Sequence, residues 1–352
     1  MSLADRLKSQ IAHDGPLTIA QYMTACLHDP QDGYYATRPA IGEGGDFITA
    51  PMISQMFGEL LGLWALETWS RMGRPARFTL VEMGPGDGTL MSDLLRATRL
   101  DVAFMAAADI WLVEVSAPLR DAQKARLGDG LRWASDLAEI PQDGPLLLIA
   151  NELLDCLPAR QFIRTERGWA ERMVGLDAAG ELTFGLRSIT AEAAGDAKPG
   201  ALREQSAAQE ALGSDLGGRV ASQGGAALLI DYGRDAPGHG DTLQALKAHR
   251  KVDPLACPGE ADLTVHADFP AVLGAARSQG AATAQVLGQG EFLTRLGIEA
   301  RASALVRASP DKAEQIGRQL DRLTAPDQMG TLFKAACLHS PGLTPPGFEE
   351  TR

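Results

Sequence analysis

The spacing of apolar residues changes character along this chain. Over 1–77 it follows a helical period. Leu3, Leu7 and Ile11 share one face, a second helical stretch runs from Thr18 to Leu27, and Pro51 to Met72 resumes the spacing through Met56, Leu60, Leu63, Trp64 and Trp69. A turn cluster at Asp29 to Gly33 and a glycine-rich stretch from Pro39 to Asp46 lie between. From Phe78 short apolar runs take over, at Phe78–Glu82, Ile110–Glu114, Leu131–Ser135, Leu146–Ala150 and Ala226–Asp231. Helical stretches at Leu90–Leu100 and Leu119–Leu127 follow the first two. Strands that are apolar on both sides need cover on both faces, so the alternation predicts a doubly wound α/β core around a parallel sheet.

The alternation breaks between the fourth and fifth strands. Residues 160–187 read as an antiparallel patch, Gln161–Thr165, Trp169–Leu176 and Leu182–Leu186, with a turn at Asp177–Gly180. Residues 191–225 are rich in Ala and Gly, with a helical stretch near Leu202–Leu216. The block 160–225 is therefore read as an insertion that forms a lid or contact surface. The organisation expected is a mainly helical cap at 1–77, a core at 78–340 interrupted by that insertion, and a loose tail at 341–352. Within the core, Thr283–Leu287 and Thr331–Cys337 are further candidate strands.

Charge narrows the partners. The 352 residues carry a formal net charge of -12, which repels polyphosphate and suits a cationic peptide better than a nucleic acid. Four scattered cysteines without a CxxC, and six scattered histidines, give no metal site to read. The N-terminus lacks the basic start and apolar run of a signal peptide, and no apolar run is long enough to cross a bilayer. The expectation is a soluble, cytoplasmic protein with no membrane insertion.

The strongest local signal is Val81-Glu82-Met83-Gly84-Pro85-Gly86-Asp87-Gly88-Thr89, placed between a strand and a helix. Glycines allow a tight turn against a ligand, and the helix start offers free N–H groups. The third glycine comes one position earlier than in the dinucleotide fingerprint GxGxxG. Glu82 suits a ligand with a positive amino group better than a pyrophosphate. S-adenosylmethionine has such an end, and NAD does not. Glu114, at the end of the second strand, is placed to accept two ribose hydroxyls; Asp136, after the third, to accept from an adenine amino group. Each acid alone could equally be a cap or a solvent residue. Three at successive strand ends fit one adenosine crevice.

Several longer segments then carry a resemblance. They include His28 to Tyr35, Gly45 to Pro51, Ile53 to Glu59, Glu82 to Gly86, Asn151-Glu152-Leu153-Leu154-Asp155, Asp231-Tyr232-Gly233, Gly240 to Leu243, Pro258 to Thr264 and Asp268-Phe269. Through them, from about Asp29 to about Lys334, the chain resembles the MidA-like methyltransferases, which include a mitochondrial complex I assembly factor proposed to methylate protein arginine. The resemblance implies a class I S-adenosylmethionine fold with a helical N-terminal addition. It departs at Met52, where the family often has Glu, and at Asp87, where a basic residue is common.

On this reading Glu82, Gly84, Gly86, Gly88, Glu114, Asp136 and Asn151 hold the cofactor, with S-adenosylhomocysteine as its product. Glu152 and Asp155 are the catalytic candidates, because paired carboxylates can bind and orient a guanidinium. Their alternative is a helix start, with Asn151 as cap and Asp155 in the first turn. Asp46 is a candidate lid residue or an Asx turn, and Tyr232 lines an acceptor channel or simply packs. His266 is set aside as structural. The function expected is methylation of arginine in a protein substrate, such as a complex I subunit or its bacterial equivalent. A partner-binding assembly factor with secondary catalysis, and a methyltransferase for another acceptor, stay open.

Overall fold

The computed structural model describes residues 1–37, 49–189 and 197–349. Helices α1 (Leu3–Asp14) and α2 (Ile19–His28) start at capping boxes set by Ser2 and Thr18. Helix α3 (Gln55–Arg71) follows a break at Ser54, whose side chain caps it. It packs on α4 (Thr89–Thr98), where Gly58 and Gly62 let the two backbones approach.

Six of the nine strands of the large sheet form its body. The first four are β1 (Phe78–Met83), β2 (Ala108–Val113), β3 (Arg132–Ala134) and β4 (Leu146–Asn151). Helix α4 follows β1, and α5 (Ala117–Leu127) follows β2. The chain then leaves the sheet for β5 (Arg160–Thr165), β6 (Gly168–Leu176), β7 (Leu182–Ser188) and β8 (Leu202–Gln205), followed by α6 (Ala207–Gln223). It returns with β9 (Gly225–Arg234), and β10 (Phe333–His339) closes the edge. The spatial order is β3-β2-β1-β4-β9-β10, all parallel except β10. Crossovers run outward from β1 in one direction and from β4 in the other, so the gap between their carboxyl ends is the crevice where this architecture binds ligands.

Four expectations need correction. Leu202–Gln205 is a strand, not the start of a helix, because it pairs with β5 (Ile163 opposite Leu202); the helix begins only at Ala207. The region 1–77 is not one cap. Strand Leu17–Thr18 pairs with β6, and α1 and α2 share an apolar core with the small sheet, whereas α3 belongs to the core under the large sheet. Among its described residues the tail is packed. Pro345 to Gly347 are buried, Phe348 lies 5.0 Å from Phe292, and Glu349 pairs with Arg71 at 2.6 Å. Finally, Thr283–Leu287 is only two short bridges onto β10, at Ala282–Thr283 and Leu287–Gly288.

Candidate functional site

The loop after β1 needs its glycines. Gly84, Gly86 and Gly88 have φ of 69°, 54° and 81°, a region that other residues adopt at a cost. Gly84 N–H donates to the Val113 carbonyl at 3.1 Å, and Gly88 N–H to the Pro85 carbonyl at 2.9 Å. A Cβ on Gly84 would stand 2.9 Å from Leu153 Cδ1. Asp87 accepts from Thr89 N at 3.0 Å and pairs with Arg126 at 2.8 Å, so this departure from the family pattern is absorbed locally.

Glu114 is buried at the end of β2. Its Oε1 accepts from Ser116 N at 2.8 Å and its Oε2 from Gln123 Nε2 at 3.2 Å. Gln123 also donates to the Gly86 carbonyl at 2.7 Å and accepts from Trp133 Nε1 at 2.9 Å, so one buried amide ties the glycine loop to the acid. Burial pushes the Glu114 pKa up, and its remaining lone pairs can take a vicinal diol. A cleft of about 210 Å³ runs from Gly84 and Gly86 past Glu114 to Val115 and Ser135, with His28 and Tyr35 on another wall. Those two rings stack at 5.9 Å, and Val115 shows 65% of its surface. Asp136 is exposed, and its Oδ1 accepts from Ala138 N at 2.7 Å as the cap of a short 3-10 turn. Ser135, not Asp136, lines the cleft, so the adenine role expected for Asp136 finds no support in the geometry.

A smaller cavity adjoins this cleft through Gly84, Gly86 and Glu152, and both Glu82 and Asn151 face it. Glu82 Oε2 and Asn151 Oδ1 are buried with no hydrogen-bond partner among the described residues. Burial, with Asp87 and Glu114 adding charge, holds the Glu82 pKa well above the carboxylate range. Two orphaned acceptors in one cavity fit an ammonium group, which would restore Glu82 to its charged form. Cleft and cavity together fit a ligand with an ammonium end and a ribose.

The comparisons with known proteins agree. The profile of a family of S-adenosyl-L-methionine-dependent methyltransferases matches residues 60–287, more than half of the chain. The chain belongs to that family. The methyltransferase is 36% identical to the mouse mitochondrial protein arginine methyltransferase NDUFAF7, over 93% of this chain and 82% of that one. It is 37% identical to the Drosophila melanogaster homolog of that protein, over 95% and 84%. The crystal structure of a Burkholderia thailandensis protein bound to S-adenosyl-homocysteine superposes with a TM-score of 0.82 at 27% identity, covering 99% of this chain and 93% of that one. The cofactor of this methyltransferase is therefore S-adenosyl-L-methionine, and the core is the class I α/β fold.

Beyond the cleft the character of the site changes. No helix begins after β4. Glu152 instead takes a φ of 52°, a strained value for a residue with a Cβ. Its N–H donates to the Ile230 carbonyl at 2.8 Å, and its Oε1 accepts from Ala50 N and Asn151 Nδ2, both at 3.0 Å. The helix-start reading of Asn151 and Asp155 is thus overturned. What holds the turn is Asp231, fully buried within β9. Its Oδ2 accepts from Leu154 N at 2.8 Å and Asp155 N at 3.1 Å, and its Oδ1 from Tyr232 N at 2.8 Å. Tyr232 acts on Asp155 from the far side and opposes the rise of its pKa.

Burial drives all three acids upward. The Glu152 pKa is pushed up to about 7. Asp155 and Asp231 rise as well, each burdened further by its neighbours' charge. Among the described residues no Lys or Arg pairs with Glu152, Asp155 or Asp231. Asp46 lies outside the described residues. Tyr232 is buried, with His266 edge-on at 5.6 Å. The sequence reading missed Asp231, Gln123, His28 and Tyr35 as site residues. Three of them lie in the segments that carry the family resemblance; Gln123 lies on a helix face and gave no signal. No helix among the described residues is long and apolar enough to cross a membrane.

Proposed function

We propose that this methyltransferase acts on the guanidinium of a protein arginine. The observation that carries the reading is the trio of half-buried Glu152 with the buried Asp155 and Asp231, which lacks a cation among the described residues and adjoins the cofactor cleft. Three carboxyls crowded together and largely desolvated resist ionising unless something positive joins them. A guanidinium arrives charged and offers five donors to such a set. The mitochondrial relatives named as protein arginine methyltransferases support the same acceptor, and the family resemblance extends it to a complex I subunit or its bacterial equivalent.

The cofactor supplies a methyl group on a cationic sulfonium, which becomes a neutral thioether on transfer. Glu114 binds the ribose hydroxyls, and Glu82 with Asn151 binds the ammonium; the glycine loop leaves room for both. Glu152 and Asp155 pair with the substrate guanidinium and draw its charge toward the nitrogens they touch. The third nitrogen then keeps electron density for attack in line with the departing sulfur. As the N–C bond forms, a proton must leave that nitrogen, and a carboxylate of raised basicity in this pair is fitted to accept it. Asp231 holds the turn and does not touch substrate. The test is purified protein with labelled methyl donor and a whole-cell lysate, followed by mass spectrometry of the labelled residue. Label on a residue other than arginine would overturn the acceptor and leave the cofactor assignment standing.

A further inference from the structure

The carboxyl pair stands between two separate spaces. On one side Glu152 lines the cofactor cleft. On the other, Asp231 accepts from both Asp155 N and Tyr232 N and so holds Tyr232 beside the pair, and Tyr232 lines a second cavity of about 330 Å³ with Gln244, Gln328, Met329, Leu332 and Phe333. The two cavities share no lining residue. Between them stand Asp155 and Tyr232, both tied to Asp231.

Methyl transfer is an in-line displacement, so the attacking nitrogen must come from the side opposite the sulfur. With the cofactor in the cleft, the acceptor needs its own approach to the carboxyls. We infer that the second cavity is that approach, and that its occupant is the side chain of an arginine on an extended segment of the protein substrate. This rests on the arginine reading above and deepens it. The chemistry of the wall agrees with such an occupant. Met329, Phe333 and the Tyr232 ring, which meets Phe333 edge-on at 5.5 Å, offer apolar contact along the aliphatic stem. Gln244 donates to the Tyr232 hydroxyl at 3.4 Å and marks the polar end nearest the acids.

The mouth differs from the interior. Arg322, bonded to Gln328 at 2.6 Å, and Asp327 bring one charge of each sign, while Leu332 is 51% exposed. A substrate segment is therefore selected at the mouth by shape and apolar contact with Leu332. Charge is read only at the inner end, by Glu152 and Asp155.

The experiment places a removable obstacle at the mouth of the full-length protein. Leu332→Cys and, separately, Gln328→Cys are assayed before and after coupling to a bulky maleimide. Three of the native cysteines are buried and Cys257 is half-buried. Leu100→Cys, on a residue 91% exposed beyond the end of α4, carries the same adduct as a control. The probe is a set of synthetic peptides with one central arginine, used with labelled methyl donor. The inference expects the adduct at 332 or 328 to lower transfer at least ~10-fold through the peptide KM, with S-adenosylhomocysteine affinity unchanged and no effect at 100. Transfer that survives both adducts overturns this approach while arginine labelling by the wild type upholds the acceptor. If the wild type labels only peptides lacking arginine, the acceptor reading falls, and this inference with it.

Discussion

The two halves of the site handle polar groups in opposite ways. In the cofactor half, around β1 and β2, each acid is supported or shielded. Glu114 already holds two hydrogen bonds, and Gln123 locks it to the glycine loop. Among the described residues, Glu82 Oε2 and Asn151 Oδ1 lack a partner and, with the spare lone pairs of Glu114, are left for a ligand. In the acceptor half, around β4 and β9, three acids crowd together, and their hydrogen bonds come largely from backbone amides. Such a half is preorganised for charge and unstable without it. The first half is built to fit a shape, the second to await a cation.

The comparison breaks first at the carboxyl pair. Glu152→Gln and Asp155→Asn should each lose roughly 2–5 kcal/mol of transition-state binding, by analogy with severed buried charge pairs. Donor binding, followed by calorimetry, should scarcely move. Near wild-type transfer to arginine in both variants would remove the acceptor half from the mechanism.

The same pair makes a stability prediction of opposite sign. Glu152 is raised from 4.5 to about 7 in the fold, so between those values the unfolded chain releases a proton that the folded one keeps. Folded stability therefore falls as pH rises through that window and is lowest above it. Glu152→Gln, whose amide oxygen can still accept from Ala50 and Asn151, should be more stable than wild type by about 3 kcal/mol at pH 8 and equal to it near pH 4. Urea melts at the two pH values measure this; a variant weaker at both would contradict the burial of an uncompensated acid. In catalysis the pair must ionise to grip a guanidinium, so kcat/KM should fall on the acid side with an apparent pKa near 7.

The cofactor half should yield less. Glu114→Ala removes up to two charge-assisted hydrogen bonds, each worth roughly 1.5–3 kcal/mol. Affinity for S-adenosylhomocysteine should drop accordingly, and transfer should recover at saturating donor. Unchanged affinity in a folded variant would refute the ribose role. Smallest is Gly84→Ala, where a positive φ and the 2.9 Å approach to Leu153 Cδ1 should cost roughly 1–2 kcal/mol of stability. A thermal melt matching wild type would show that the loop yields.

This asymmetry also decides what the sequence could reveal. The apolar runs at β1, β4 and β9 were legible because burial on both faces leaves no choice of residue. The glycine loop was legible because left-handed backbone favours one residue type. Asp231 was not, since its task is to accept amides of Leu154 and Asp155, 77 and 76 positions away. Nor could spacing show that Glu152 bends the chain instead of starting a helix. The strand Leu202–Gln205 was misread because its polar residues Arg203, Glu204 and Gln205 carry no strand period, and only its pairing with β5 fixes it.

One pairing has a consequence for how the chain is made. Leu17 and Thr18 join β6 opposite Val174 and Met173. Helices α1 and α2 leave the ribosome long before the strand that receives them, which is translated more than 150 residues later. At bacterial to eukaryotic elongation rates of 5–20 residues per second, that wait is roughly 8–30 s. Throughout it Leu3, Leu7, Ile11, Ile19 and Met23, which end in the core shared with the small sheet, have no surface to cover them. The first thirty residues are thus the segment a holding chaperone would meet during synthesis, and truncations ending before β6 should associate with one far more than those ending after it.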